Sequence, residues 1–401
     1  MTNRKIRMGM IGGSYDAFIG EVHRKAARLD GRIDIVAGVF SSNPEKSKKT
    51  GELLYLDSKR IYTNFEEMAE KESKLPENQR IDFVSIVTPN NMHFAPAKLF
   101  LEHGFHVVCE KPLAYNLEQG LELQKIVKKT KKVFALTHNY TGYPMVKQAR
   151  HIIRNNELGK VLKLIVEYPQ GWLIRTIEKD GHKQALWRTD PKQSGISCCI
   201  GDIGTHCENL ASYITGLELE SICADLTIYM PGRKLDDDGN VLLRYKEGVK
   251  GILQASQISF GEENGLNIRI YCEKGRLFWK QEIPFYLYVQ KEGTPLMIYS
   301  TGSNYLCDAA KRATRLPAGH PEAFIEAFAN IYTNAVDTMI AVNEGRTPTD
   351  LEKDFPTVED GVKGLAFVKA VVENGFNDNV KWTKIADIFK SLKNIATDKH
   401  I

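Results

Sequence analysis

The chain has 401 residues, more than a single hydrophobic core usually serves, so two domains are expected. Its composition, 42% hydrophobic and 26% charged, is that of an ordinary globular protein and excludes a disordered or low-complexity chain. The 54 Lys and Arg against 50 Asp and Glu leave a net charge of +4, interspersed rather than gathered into a block that tracks phosphates, which argues against a nucleic-acid partner. Apolar runs such as 84–87 fall far short of the roughly 20 residues that a membrane span needs. The apolar stretch behind Arg4, Lys5 and Arg7 runs into Gly12-Gly13 as a strand would, not as a signal-peptide core. Seven cysteines with no Cys-x-x-Cys pair suggest reduced thiols and a cytoplasmic protein. Cys198, Cys199, His206 and Cys207 are close in sequence, but adjacent side chains point apart, and no metal site is expected.

The first third of the chain alternates strand and helix patterns. Strand 5–11 leads to helix 22–29, strand 33–40, and helices 45–54 and 65–71. Short β-rich runs at 83–87, 106–109 and 133–137 follow, counted as the fourth, fifth and sixth strands and separated by helices 95–102 and 117–129. Such alternation predicts an α/β fold with a parallel, doubly wound Rossmann sheet and right-handed crossovers.

After about residue 140 the rhythm changes. Helix 143–155 precedes strands 161–168, 222–229, 241–245, 251–260, 267–273, 276–279 and 285–290, with hairpin signals at Asp238-Gly239, Glu247-Gly248 and Lys274-Gly275. Consecutive hairpins predict a large, mostly antiparallel sheet in a second domain of α+β type. Helices 321–343 and 358–374 close the chain, so the expected domains are 1–140 and 141–401. Asp236-Asp237-Asp238-Gly239-Asn240 resembles a calcium loop but lacks its closing Glu and lies between strands, which favours a hairpin turn. Asn267, Arg269 and Tyr271 alternate with Ile268, Ile270 and Cys272, and Tyr286, Tyr288 and Gln290 with Phe285, Leu287 and Val289. The tyrosine-bearing face suits either a protein–protein contact or solvent.

In an open parallel sheet, ligands bind beyond the carboxyl ends of the strands, so the residues there carry the chemistry. The first strand is followed by Gly12-Gly13-Ser14-Tyr15-Asp16-Ala17-Phe18-Ile19-Gly20 and a helix, a glycine turn of the kind that lets backbone approach a pyrophosphate. It departs from G-x-G-x-x-G at Ser14 and in the late arrival of Gly20. The second strand ends at Ser41-Ser42 without the acid that commonly binds the ribose of NAD, and Lys46 lies nearby, so either nicotinamide cofactor fits. Ser41 and Ser42 have the alternative role of capping the helix at Glu45. Thr88-Pro89-Asn90 with His93, Glu110-Lys111-Pro112 and His138-Asn139-Tyr140 follow the later strands. Glu110-Lys111 alone would be an ordinary surface pair. At the mouth of a nucleotide-binding sheet, Lys111 becomes a group able to polarise a substrate hydroxyl.

The glycine turn, Thr88-Pro89-Asn90 with His93, Glu110-Lys111-Pro112 and Gly201-Asp202-Ile203-Gly204-Thr205-His206 together resemble the glucose–fructose oxidoreductase, inositol 2-dehydrogenase and rhizopine-catabolism (Gfo/Idh/MocA) family over nearly the whole chain. The resemblance implies a Rossmann domain with NAD or NADP and a second domain whose open-faced sheet builds a homo-dimer or homo-tetramer. It also implies oxidoreduction of sugars, polyols or related alcohols, with Lys111 as catalytic lysine and His206 as acid/base beside Asp202. The cofactor side would comprise Gly12, Gly13, Ser14, Phe18, Ile19, Ser41, Ser42, Lys46, Thr88, Pro89, Asn90, His93, Glu110, Lys111 and Asn139.

The residue types suit that chemistry. Imidazole takes a hydroxyl proton near neutral pH, and Lys111 supplies positive charge where alkoxide develops. Asp202 and His206 share a face if their segment is helical. Asp202 has the alternative of capping helix 207–214, and His206 that of an ordinary packed histidine. Trp172 and Arg175, Trp187 and Arg188, Tyr140 and His320 are expected, with Lys111, Asp202 and His206, to contact a sugar or cyclitol, because indole faces stack on sugar rings and Arg grips hydroxyls. The expectation is a dehydrogenase of a ring hydroxyl. Redox-assisted glycoside cleavage with retained NAD, or a nucleotide-binding regulator, are the other readings of the same residues.

Overall fold

The computed structural model describes residues 4–398. In chain order the elements are β1 (Ile6–Gly12), α1 (Phe18–Arg28), β2 (Ile33–Val39), α2 (Pro44–Leu53), α3 (Phe65–Lys74), β3 (Phe83–Val87), α4 (Phe94–Glu102), β4 (His106–Cys109), α5 (Leu117–Thr130) and β5 (Phe134–Leu136). Then come α6 (Pro144–Arg154), β6 (Val161–Pro169), α7 (Lys183–Arg188), α8 (Pro191–Ser194), α9 (Thr205–Thr215), β7 (Leu219–Thr227), β8 (Asp238–Tyr245), β9 (Lys250–Ser256), β10 (Asn267–Cys272), β11 (Gly275–Lys280), β12 (Tyr286–Lys291) and β13 (Met297–Ser300). The last elements are α10 (Asp308–Arg312), α11 (Phe324–Asn343), α12 (Val358–Gly375), β14 (Thr383–Lys384) and α13 (Ile385–Asp398).

The chain divides into two compact units. One holds the residues up to Gly142 together with Phe324–Val362, the other Tyr143–Ala323 with the chain from Lys363 on. This differs from the continuous 1–140 and 141–401 expected from the sequence, because α11 returns to the first unit. Its Phe328, Ile331, Tyr332, Ala335 and Met339 are buried in one core with Val22, Ala26 and Ala27 of α1 and Met8 and Phe83 of the sheet. Apolar complementarity, invisible along the sequence, decides that placement.

The first unit's sheet has strand order β2-β1-β3-β4-β5, with every registered pair parallel. Its strands are nearly continuous apolar runs, as expected where helices cover both faces. The run at 83–87, counted from the sequence as the fourth strand, is the third among the described residues. Between β2 and β3 only an isolated bridge from Ile61 to Gly38 touches the sheet. The strand order reverses direction between β1 and β3, which places a ligand crevice outside the carboxyl ends of those two strands.

The second unit's sheet runs β13-β12-β11-β10-β6-β9-β8-β7-β14 and is antiparallel except where β6 lies beside β9. Ile268, Ile270, Leu277, Trp279, Leu287 and Val289 are buried on one face. Arg269, Tyr271, Phe278 and Tyr288 line a groove of about 590 Å³ on the other. The period-two alternation read from the sequence decides which side is which.

One turn was misplaced. The β7–β8 connection reverses at Pro231-Gly232, where Gly232 has φ +87°, while Asp238 and Gly239 already belong to β8. Asp236 and Asp237 are fully buried because each carboxylate collects donors. Asp237 accepts from the Tyr229 and Met230 amides at 2.8 and 3.0 Å. Asp236 accepts from Ser197, Cys198 and Ile200. A chain of three aspartates looks like solvated turn chemistry until those donors are known.

His106 shows how the first unit uses a buried neutral ring. Its Nδ1 accepts from the Val133 amide at 2.9 Å and its Nε2 donates to Asn343 Oδ1 at 3.1 Å. Burial pushes its pKa down to about 4. An unfolded histidine near 6.5 binds a proton that the folded one refuses, so this contribution is complete above pH 6.5 and lost as pH falls towards 4. Urea unfolding should reveal a loss of up to about 3 kcal/mol from this group across that window. The His106→Gln variant should show a flatter dependence, and parallel wild-type and variant curves would remove His106 from the account.

Candidate active site

At the carboxyl end of β1 the backbone turns through Gly12 and Gly13, at φ +82° and +73°, where a side chain would be strained. A methyl at Gly12 would stand 3.0 Å from Thr88 Cγ2, and one at Gly20 would run into the Cα of Gly13. The late glycine therefore still gives α1 its close approach to the turn, although the spacing departs from the usual fingerprint. Arg24 donates to the Gly13 carbonyl, and Ser14 Oγ donates to Asp16 Oδ1 at 2.7 Å. Phe18 is largely exposed at the start of α1, whereas Ile19 packs inward against Met10, Phe40 and Val87. After β2, Asn43 caps α2 through the Lys46 amide, and Ser41 Oγ accepts from the Asn43 amide. Neither serine is the cap, and Ser42 is exposed. Lys46 Nζ lies 2.6 Å from Asp16 Oδ2.

The ends of β3, β4 and β5 are joined by two histidines and a carboxylate. Glu110 accepts from His23 Nε2 at 2.9 Å and from Thr137 Oγ1 at 2.6 Å on one oxygen, and from the Lys111 amide at 3.2 Å on the other. His23 Nδ1 meets Tyr332 Oη, which meets Ser85 Oγ, each at 2.7 Å. Burial alone would raise the Glu110 carboxyl, but the bonds from His23 and Thr137 with the Lys111 charge hold it below its usual value. Glu110 thus faces the interior and orients the loop. His93, fully buried, lies between the Thr88 carbonyl, 3.0 Å from Nε2, and the Pro112 carbonyl, 2.7 Å from Nδ1; burial lowers its pKa, and the single N–H of the neutral ring donates to one of the two loops. Thr88 Oγ1 donates to the Met92 carbonyl, Pro89 precedes the turn Asn90–Met92, and Asn90 is buried.

Lys111 is half-buried on the loop that follows β4, and the Lys111-Pro112 peptide is cis. Its positive charge acts with burial in lowering the pKa of both His93 and His138. His138 is held neutral, with a pKa near 4, chiefly by burial and then by Lys111. Beside it, Asn139 is buried with its Nδ2 lacking any hydrogen-bond partner. A buried amide left without an acceptor is costly, and a bound polar group would relieve it. With the side-chain-free contact of Gly13 and Gly20, this fits a dinucleotide lying across the strand ends. Tyr140 is buried against Phe324, 6.5 Å between rings, so its ring is a packing element.

In the second unit the sequence Gly201-Asp202-Ile203-Gly204 forms a wide turn, Ile200–Gly204, that runs directly into α9. Asp236 holds its start, accepting from Ile200 N at 2.8 Å, Ser197 Oγ at 3.0 Å and Cys198 N at 3.1 Å. Gly201 N donates in turn to Ser197 Oγ. Asp202 caps no helix. Its Oδ2 accepts from Arg188 Nε at 3.1 Å and from Gln257 Nε2 at 2.9 Å. The guanidinium of Arg188 lies 4.2 Å from the Trp187 ring and 5.8 Å from the Trp172 ring, and donates to Gln184 Oε1 at 2.5 Å. Arg188 and the two tryptophans therefore build a cage that fixes the Asp202 carboxylate. His206 is buried one helical step further on, its ring 6.2 Å from that of Tyr168.

Gln257, Gln184 and His23 were not singled out in the sequence, and His138 and Asp16 stood there only as members of strand-end segments, without roles of their own. Gln257 is fully buried and follows β9 directly, a strand-end position that was a usable signal. Arg175 is exposed, its carbonyl accepting from Arg233, and His320 is exposed with Nδ1 3.1 Å from the Pro317 carbonyl in its own loop. Burial pushes the thiols of Cys109, Cys198, Cys199 and Cys207 well up, which keeps them unreactive. No helix among the described residues is long and apolar enough to cross a membrane.

A parallel sheet with a glycine turn at its switch point, and a second unit presenting a caged carboxylate and a buried histidine, define a dinucleotide-binding oxidoreductase. Two family models match: the oxidoreductase family's NAD-binding Rossmann fold over residues 6–138, and the GFO/IDH/MocA C-terminal domain over residues 146–278. The chain belongs to the GFO/IDH/MocA family and is an NAD-dependent oxidoreductase. An oxidoreductase from Sinorhizobium meliloti is 43% identical, with a TM-score of 0.84 over 95% of this chain and 100% of that one. An inositol dehydrogenase homologue from Azotobacter vinelandii, solved with NADH and myo-inositol, is 30% identical, with a TM-score of 0.87 over 95% and 98%. The uncharacterised oxidoreductase YfiI of Bacillus subtilis is 29% identical over 95% of this chain and 97% of that protein.

The Glu110 hub gives a stability prediction. Glu110→Ala strands His23 and Thr137 in the core and should cost about 3–5 kcal/mol in denaturant unfolding, whereas Glu110→Gln, which keeps an acceptor, should cost less. Equal, small losses for both variants would show that the carboxylate holds nothing.

Proposed function

We propose that this protein oxidises a ring secondary hydroxyl of a sugar, sugar derivative or cyclitol to a ketone, with Lys111, Asp202 and His206 doing the acid–base work. The observation that carries the reading is Lys111 half-buried on the loop that follows β4 of a Rossmann sheet, its amide bonded to Glu110 and the next residue's carbonyl 2.7 Å from His93. Gly12, Gly13, Thr88 and Asn139 would hold the cofactor, with Asn139 Nδ2 supplying a donor that has no hydrogen-bond partner among the described residues. Bound NAD supplies the acceptor for the hydride that leaves the carbinol carbon.

Lys111 stabilises the oxygen as its negative charge grows, since a fixed cation is worth most where water is excluded. His206 receives the hydroxyl proton, imidazole being suited to this near neutral pH. Asp202, locked by Arg188 and Gln257, accepts a hydrogen bond from a substrate hydroxyl without rotating away. The substrate class is supported by the A. vinelandii relative, whose solved complex contains myo-inositol.

We infer also that the tyrosine-bearing face of the second sheet joins copies of the chain into a dimer or tetramer. Exposed Ile298, Leu296 and Tyr286 and half-buried Tyr288 give it the aromatic and aliphatic character of an interface core. All seven cysteines are free thiols, consistent with a place in the cytoplasm.

Turnover is followed at 340 nm against inositols, sugars, anhydrosugars and glycosides. Lys111→Met should lower kcat by about 10³-fold or more while the NAD dissociation constant stays within about threefold. His206→Ala should lose most activity near pH 7 and recover part of it at high pH, where hydroxide takes the proton. Normal turnover by Lys111→Met, or an unchanged pH–rate profile for His206→Ala, would overturn these assignments. Light scattering at micromolar concentration should give a dimer or larger, and Tyr288→Arg should shift it towards monomer; a wild-type monomer would refute the interface.

A further inference from the structure

We propose that Asp16, on the glycine turn, selects NAD over NADP by occupying with Lys46 the place where the adenosine ribose is read. The inference rests on the chain being an NAD-dependent oxidoreductase and goes beyond it. In doubly wound sheets the ribose 2′-hydroxyl, or the 2′-phosphate of NADP, is recognised just beyond the end of the second strand. In this chain that strand end is Phe40-Ser41-Ser42-Asn43, with no acid in it. Lys46, in the first turn of α2, is the cation at that place.

The structure supplies the missing acid from elsewhere in the chain. Asp16 reaches across so that its Oδ2 lies 2.6 Å from Lys46 Nζ. Its other oxygen accepts from Ser14 Oγ at 2.7 Å, which fixes the carboxylate on the turn that precedes α1. The Lys46 backbone is fixed independently by the Asn43 cap. Tyr15 completes the junction: its amide donates to Thr50 Oγ1 at 3.3 Å, and its ring lies 5.6 Å from Lys46 Nζ and 5.1 Å from Lys49 Nζ. The six-residue stretch between Gly13 and Gly20, which departs from the familiar fingerprint, is what lets Asp16 make this reach.

The pair is two-fifths and about a quarter exposed at its acid and base, so a ligand can meet both groups. A ribose hydroxyl can donate to a carboxylate and accept from an ammonium, so NAD satisfies both partners. A phosphate offers only acceptors and close to two negative charges, and it would face the Asp16 carboxylate across the site while competing with it for Lys46. Discrimination therefore comes from repulsion as much as from attraction. Lys46 taken alone would point to NADP; the carboxylate reverses that.

Calorimetric titration of the full-length protein with NAD and NADP tests this without relying on turnover. The wild type should bind NAD at least about tenfold more tightly than NADP. Asp16→Asn should narrow that ratio by about tenfold or more, mainly by tightening NADP, because the Asp16 charge then no longer repels the phosphate or competes with it for Lys46. Asp16→Asn combined with Lys46→Gln should lose that gain, which separates the charge effect from any loosening of the turn. Wild-type preference for NADP, or a ratio within about twofold of wild type in Asp16→Asn, would overturn the proposal alone. Failure of the wild type to bind either nucleotide would overturn the NAD-dependent reading as well.

Discussion

The buried carboxylate of Glu110 is the point on which the first unit's architecture turns. It sits where β4 ends, takes donors from α1 through His23 and from the residue after β5 through Thr137, and receives the amide of Lys111. Through His23 the chain continues to Tyr332 of α11 and Ser85 of β3. One consistent orientation has Ser85 donating to Tyr332, Tyr332 to His23 Nδ1, and His23 Nε2 to Glu110. Such a polarised chain holds a charge in the core only while every member is satisfied. A residue that looks like half of a surface ion pair thus fixes the loop bearing the candidate catalytic lysine.

The second unit solves a similar problem differently. Asp202 is held in place at a half-buried position rather than in the core. Arg188 and Gln257 converge on one oxygen, Trp187 and Trp172 wall the guanidinium, and Asp236 secures the backbone turn from behind. The energetic expense of the arrangement lies in burying Asp236, whose carboxyl is pushed up by desolvation despite its donors. In both units a buried acid with a structural task supports a more accessible polar group that is a candidate for the chemistry.

Cofactor recognition draws on residues that sequence separation hides. The glycine turn is recognisable by composition, yet its length is explained only by what it reaches: Gly20 against Gly13 for close packing, and Asp16 against Lys46 at the ribose end. The dinucleotide sites of this fold are familiar as positions along a strand end. Here one of those positions is filled by a side chain from the preceding turn, so charge is conserved at the site although the sequence position is empty.

Much of this protein was legible along the chain. The period-two and apolar patterns placed every strand from β1 to β12 to within a few residues, because burial on one or both faces leaves a local trace. Glycines at the β1 turn and Lys111 after β4 were found for the same reason, that strand ends have local signatures, whereas the Gly201–His206 segment stood out only by its resemblance to the family. Short elements such as β13, β14, α7 and α8 were missed, being too brief to show a period. The Asp236–Asn240 run was read as a turn because three successive acids look solvated until their donors are in view. What the sequence by itself determined was therefore the two-sheet architecture and the inventory of polar groups at the strand ends. Only the tertiary structure decided that α11 returns to the first unit, that Arg188 serves Asp202, and that Asp16 answers Lys46. Those choices are made by contacts between residues far apart in the chain, and hydrogen-bond geometry and apolar packing act on positions in space rather than on order in sequence.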